Sequence, residues 1–227
     1  VARNNMTRNN MARKRTAILI SGRGSNMTAL IEAAKDASFP AEIVLVLSNR
    51  PDVGGLQRAA AEGIATEVVD HTRYPKDREG FERALQEVLE KHRIEIVCLA
   101  GFMRILTAWF VSHWSGRLLN IHPALLPAFK GLDTHARAIE AGVKEHGATV
   151  HFVVPEMDAG PIIAQGAVQV LPGDTEEALA RRVLAIEHRI YPIALRLIAS
   201  GQARMEGGAC VIDRPIDPAE AGFVPAH

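Results

Sequence analysis

The chain has 227 residues, 48% of them hydrophobic, which is enough for one sizeable core and too few for two equal domains. Its 26 Lys plus Arg balance 26 Asp plus Glu, which excludes a global basic field for nucleic acid or an anionic membrane. No run approaches the ~18 consecutive apolar residues of a transmembrane helix, and Cys98 and Cys210, remote from each other and from any Cys/His cluster, read as free thiols of a reducing cytoplasm.

Residues 1–15, VARNNMTRNNMARKR, carry five basic residues and no acid, so they read as a disordered basic leader. They lack the apolar core of a signal peptide. The body beyond them is therefore acidic. Short β-branched runs then recur: TAILIS at 16–21, EIVLVLS at 42–48, ATEVVD at 65–70, EIVCLA at 95–100 and RLLNIH at 117–122. Helical stretches separate them, the clearest at 76–92, where Phe81, Leu85, Val88 and Leu89 recur at helical spacing. Strands apolar on both faces and separated by helices predict an α/β fold with a doubly wound, mostly parallel central sheet of Rossmann-like type.

After Gly131 the texture changes. HGATVHFVV (146–154) and PIIAQGAVQV (161–170) are joined by PEMDAG, which is too short for a crossover helix, so they are expected to pair antiparallel. Residues 174–199 predict one long helix with Leu179, Val183, Ile186, Ile190, Ile193 and Leu197 along a stripe, kinked at Pro192. Gly201, Gly207 and Gly208 flank an expected terminal hairpin. One main domain is expected over 16–206, with 207–227 as a loose C-terminal extension.

Three stretches carry chemistry. SGRGSN (21–26) follows the first strand and opens a helix, where glycine N–H groups and the helix dipole suit a phosphate and Ser25 and Asn26 are placed to cap. It lacks the third glycine of the dinucleotide fingerprint, so NAD is disfavoured. A plain Gly-Ser turn fits the same residues. In NIHPALLPAFKG (120–131), Asn120 and His122 sit two apart on one face at a strand's carboxyl end, where ligands collect in parallel sheets. An amide donor beside an imidazole suits acyl transfer, although an Asn closing a turn and a His packed on proline fit as well. Asp158 in PEMDAG would favour the imidazolium if its loop reached His122; otherwise it is an ordinary turn residue. The histidines show no metal-ligand spacing, so no metal is expected.

The motifs SGRGSN, LAGFMRIL, NIHPALLPAFKG, HGATVHFV, MDAGPII and EHRIYP, in that order, resemble the phosphoribosylglycinamide formyltransferases, folate-dependent enzymes of purine synthesis. The resemblance spans about residues 16–205. It implies Asn120, His122 and Asp158 as the catalytic trio. It also implies that Gly24, Ser25 and Asn26 hold the phosphate of glycinamide ribonucleotide and that Glu187 faces its glycinamide end. Met103, Arg104, Ile105 and Leu106, with Asn120 and the loop Val154, Pro155, Glu156, Met157 and Asp158, would form the pocket for 10-formyltetrahydrofolate. Arg78 matches the family's folate-contacting arginine by ungapped counting. Asp133 stands where some relatives carry a histidine, so no role is carried to it.

The resemblance thus implies formyl transfer from 10-formyltetrahydrofolate to the ribonucleotide amine, by a cytoplasmic monomer or homodimer without metal, nucleic acid or membrane. A formyltetrahydrofolate hydrolase shares the trio but uses water and carries an extra N-terminal domain, for which the leader leaves no room. A transfer-RNA formyltransferase would need a further C-terminal domain and a basic surface. A non-catalytic folate- or nucleotide-binding module remains the alternative outside enzymes.

Overall fold

The computed structural model describes residues 12–213. The first half alternates strand and helix: β1 (Lys14–Ile20), α1 (Ser25–Ala34), β2 (Ala41–Ser48), α2 (Gly54–Ala61), β3 (Ala65–Val68), α3 (Arg78–Lys91), β4 (Ile96–Leu99), α4 (Ala108–His113) and β5 (Leu118–His122). A 3-10 turn at His71–Arg73 follows β3. Then come α5 (Thr134–Glu140), β6 (Glu145–Phe152), β7 (Ile162–Gln169), α6 (Glu176–Ala199), β8 (Ala203–Glu206) and β9 (Ala209–Ile212).

Seven strands form one sheet in the order β3-β2-β1-β4-β5-β6-β7. The first five are mutually parallel; β6 and β7 add antiparallel pairs, as the short PEMDAG connection requires. Both faces are covered. Ala17 and Leu19 of β1 point into a core with Phe81, Leu85 and Leu89 of α3 and Phe110 and Trp114, while the alternate residues Ile18 and Ile20 join Leu30 of α1 and Leu179, Val183 and Ile190 of α6. Helix α6 starts one residue past its cap, Thr175, whose side chain accepts from Ala178 N, and runs on through Pro192. Buried Tyr191 on α6 donates its hydroxyl to Leu99 O at 2.9 Å, tying the helix to β4.

Two boundaries differ from the sequence reading. The expected leader ends earlier, because Lys14 and Arg15 already belong to β1. Lys14 Nζ pairs with Glu95 Oε1 at 2.7 Å, and the Arg15 guanidinium donates to His92 O, so these basic residues sit at the amino end of an interior strand with their charges engaged. The part of the leader at 1–11 lies outside the described residues. At the other end, the boundary at 206/207 falls inside a hairpin: β8 pairs antiparallel with β9 across Gly207 and Gly208, whose φ of 59° and 80° suit a two-residue turn. The rest of the expected extension, 214–227, is outside the described residues.

Strand β6 also fastens the chain that leaves β5. Thr149, opposite His122 in the register, is fully buried and donates to Ala124 O at 2.7 Å while accepting from Leu126 N at 3.0 Å. Thr149→Val keeps the shape and strands both backbone groups, so it should cost about 2 to 3 kcal/mol, read as a lower urea midpoint at unchanged slope. His146, also on β6, is buried against His135 and the edge of the Phe129 ring. Desolvation, reinforced by His135, pushes its pKa from 6.5 down to about 4. The unfolded chain then takes up a proton that the folded ring refuses, so stability should fall as pH drops through the window from 6.5 toward about 4. In His146→Gln the loss of midpoint between pH 7 and pH 5 should be smaller than in the wild type; an equal loss would show that the ring contributes nothing to it.

Candidate active site

Four parallel strands end beside one cavity of about 640 Å³, lined by the loop Ser21–Asn26 after β1, by Asn49 and Arg50 after β2, by His71 and Thr72 after β3, and by Ala100, Gly101, Met103 and Arg104 after β4. This is the carboxyl edge around the point where strand order reverses, the usual ligand site of such sheets. Gly24 adopts φ 69°, in the left-handed region, and is itself the N-cap of α1. The loop is backed by α2: Gly55 N donates to Gly22 O at 3.1 Å, and a Cβ at position 55 would lie 2.8 Å from that oxygen.

Ser25 and Asn26 do not cap the helix as the sequence suggested, since no side-chain cap bond is made. They lie one and two residues inside it, and Asn26 is turned inward. Its Nδ2 donates to Glu187 Oε2 on α6 at 2.5 Å, while its Oδ1 is buried without a partner. Glu187 is only 8% exposed, and desolvation raises its pKa against the opposing effect of the Asn26 hydrogen bond. The sequence reading placed both residues at one substrate, and the structure joins them.

The second half of the site lies at β5. The 153–161 loop folds back from β6, and Asp158 Oδ2 comes to 3.6 Å from His122 Nδ1 and accepts from Gly131 N at 2.9 Å. Close backbone contact allows this. Phe152 N donates to Pro161 O at 2.9 Å, and a Cβ at Gly160 would meet Phe152 O at 1.7 Å. His122 is 5% exposed, and its Nε2 donates to Phe129 O at 3.0 Å. Phe129 holds φ 54°, and Asp133 and Asp158 are likewise left-handed at 55° and 51°, so backbone strain gathers around the trio.

One member of the site was missed in the sequence. His151 stands directly across from Asn120 in the β5/β6 register, and its Nε2 is 3.2 Å from Asn120 Nδ2 and 4.0 Å from Asp158 Oδ1. Its Nδ1 donates to Phe152 O at 2.8 Å. Desolvation lowers its pKa, and with Nδ1 donating to Phe152 O its Nε2 is left to accept from the Asn120 amide. The available signal was a histidine inside an apolar strand, two residues from Thr149 and on the same face.

The folate-assigned residues divide. Met103 (70% exposed), Ile105 (67%) and Met157 (58%) are among the few large apolar side chains left in solvent, on loops that flank the trio. Leu106 packs on the α3-side core, and Arg104 lines the cavity. Val154 is half-buried, whereas Pro155 and Glu156 are exposed, Glu156 lying 3.8 Å from Lys130. Arg78 opens α3, is exposed and does not line the cavity. No cluster of three potential metal ligands occurs among the described residues, and no described helix is long and apolar enough to cross a membrane.

Comparison with known proteins agrees with this architecture. The Formyl transferase family model matches residues 14–195. The phosphoribosylglycinamide formyltransferase of Escherichia coli is 45% identical over 196 residues, covering 86% of this chain and 92% of its own length. The trifunctional purine biosynthetic protein adenosine-3 of Bos taurus is 52% identical over 191 residues, but the chain spans only 19% of that protein. A crystal structure of glycinamide ribonucleotide transformylase 1 from Symbiobacterium toebii superposes with a TM-score of 0.85 at 46% identity, over 88% of this chain and 94% of that one. With the fold, the paired sites and the near full-length matches in agreement, the chain belongs to the formyl transferase family and, within it, to the phosphoribosylglycinamide formyltransferases.

Proposed function

We propose that the chain transfers the formyl group of 10-formyltetrahydrofolate to the amine of glycinamide ribonucleotide, with Asn120, His122 and Asp158 at the reacting centre. The observation that carries this reading is the approach of Asp158 Oδ2 to 3.6 Å from His122 Nδ1 although 36 residues separate them, with Asn120 linked to the same carboxylate through His151. The loop Gly24, Ser25 and Asn26 holds the phosphate on outward N–H groups at the positive end of α1. Glu187 and the unpartnered Asn26 Oδ1 await donors from the sugar or glycinamide part, which explains a buried polar atom left without a bond. Met103, Ile105 and Met157 offer apolar contact to the pterin, and Arg104 and Arg78 offer charge to the carboxylates of the folate tail.

In the reaction the neutral amine attacks the formyl carbon, and the carbonyl oxygen gains charge. One Nδ2 hydrogen of Asn120 is held by His151, which leaves the other to donate to that oxygen. The His122 Nε2 proton turns from the strained Phe129 carbonyl to the same oxygen. Asp158 balances the imidazolium and orients a water that carries the proton from the attacking amine to folate N10 as the C–N10 bond breaks. The products are the formylated ribonucleotide and tetrahydrofolate.

Incubating the protein with 10-formyltetrahydrofolate, with and without glycinamide ribonucleotide, tests the reading. Folate should lose its formyl group only when the ribonucleotide is present. Loss to water alone would indicate the hydrolase, and no turnover a binding module. Asn120→Ala and His122→Ala should each reduce turnover by about 10² to 10³, the usual effect of removing an oxyanion donor. Near-normal turnover in purified His122→Ala would remove it from the mechanism. Gly160→Ala, which touches no substrate, should lower kcat by about 10² by pushing the Asp158 loop off β6. Its ribonucleotide KM should stay near the wild-type value, because α1 and its loop are not disturbed.

A further inference from the structure

The cavity extends away from the reacting centre as well as toward it. Within the sheet order the phosphate loop follows β1, the centre lies at β5 two strands to one side, and Asn49, Arg50, His71 and Thr72 follow β2 and β3 on the other. With neighbouring strands ~4.8 Å apart, this second arm reaches about 10 Å beyond the phosphate loop. A ribonucleotide that runs from the loop to Asn120 leaves it unused.

The arm is built for negative charge. The cavity lining contains Arg23, Arg50, Arg104 and His71 and no carboxylate. Among the described residues the guanidinium groups of Arg23 and Arg50 make no hydrogen bond or ion pair; their backbones are engaged, Arg23 O by Arg58 Nη1 at 3.4 Å and Arg50 N and O by Ser48 Oγ at 3.0 and 2.7 Å. His71 is fixed in orientation, since its Nδ1 donates to Asn49 O at 2.8 Å, which leaves Nε2 as its open edge. Asp70 is 4.0 Å from His71 Nδ1 but accepts from Thr72 N and Thr72 Oγ1 at 3.0 and 2.8 Å, so its charge is partly satisfied by the turn it caps. Asn49 is itself held by Ser21, whose hydroxyl donates to Asn49 Oδ1 at 2.6 Å and accepts from Met103 N at 2.8 Å. The arm is thus rigidly joined to the phosphate loop.

We propose that this arm is a second phosphoryl subsite, so that the protein binds the diphosphate or triphosphate chain of a nucleotide in competition with its ribonucleotide substrate. One phosphoryl group sits on the Gly24–Asn26 loop and the next is held by Arg50 and Arg23, with His71 at the far side. The inference rests on the assignment of that loop to the substrate phosphate. Inhibition by nucleoside di- and triphosphates, but weakly by monophosphates, is its functional consequence.

Calorimetric titration of the full chain with orthophosphate, pyrophosphate, AMP and ADP tests it, alongside inhibition of formyl transfer by the same four compounds. Pyrophosphate and ADP should bind at least about tenfold more tightly than orthophosphate and AMP, through the added charge-assisted bonds. Arg50→Ala, at an exposed position outside the transfer machinery, should abolish that difference while leaving orthophosphate binding and formyl transfer within about twofold. Equal affinities in the wild type, or a difference that survives Arg50→Ala, would overturn the proposal and leave the loop assignment intact. Failure of orthophosphate to compete with the ribonucleotide would instead remove the loop assignment, and the second subsite with it.

Discussion

The antiparallel pairing of β6 against β5 is the constraint on which the site depends. Five parallel strands would make an ordinary nucleotide-binding sheet with its ligands at one edge. Reversing the next strand places His151 opposite Asn120 and Thr149 opposite His122. The first pair orients the Asn120 amide, and the second pins the turn that leaves the strand. The same reversal lets a short loop return over the sheet, because β7 must begin beside His151. Asp158 rides on that loop. A helical crossover at this point would have carried the carboxylate away from the imidazole.

Helix α6 supplies the complementary constraint. It spans 24 residues and touches both halves of the site, through Glu187 to Asn26 on the phosphate side and through Tyr191 to Leu99 O beside the reacting strands. Two groups one turn apart on a single helix therefore set the position of the Asn26 loop relative to the end of β4. Ser21 does the same at the sheet edge, joining the end of β1 to Asn49 and to the backbone of Met103. The separation of the Asn26 and Asn120 regions is thus a property of packed elements, with Asn120 and His122 on strand β5 and only Asp158 on a loop.

Periodicity and punctuation made the fold readable. Runs apolar on both faces predicted the parallel strands, and the brevity of PEMDAG predicted the antiparallel pair. The leader boundary was misplaced because Lys14 and Arg15 look like tail residues by charge alone, whereas Glu95, some 80 positions away, makes them strand residues. Asn26 was misread for a related reason. Local chemistry assigns an asparagine at a helix start to capping, and the competing partner, Glu187, is 161 residues distant. His151 was passed over because nothing local separates a buried core histidine from one that aligns a catalytic side chain. In each case the deciding contact is long-range, and spacing along the chain does not encode it.

The strain around the trio has a mechanistic logic. Phe129, a bulky residue, holds φ 54° with its ring against His146 and the Arg137 guanidinium 5.6 Å above it. That conformation costs of order 1 to 3 kcal/mol, and it aims the carbonyl at His122 Nε2. The bond therefore rests on a backbone that would relax if released. In the proposed reaction an oxyanion forming nearby would offer the ring N–H a charged acceptor in place of a neutral carbonyl, worth roughly twice as much per hydrogen bond. Release of strain and the stronger bond favour the same exchange. In the proposed mechanism the resting site would keep its proton donor occupied until charge develops, and the exchange would become favourable only as the transition state forms.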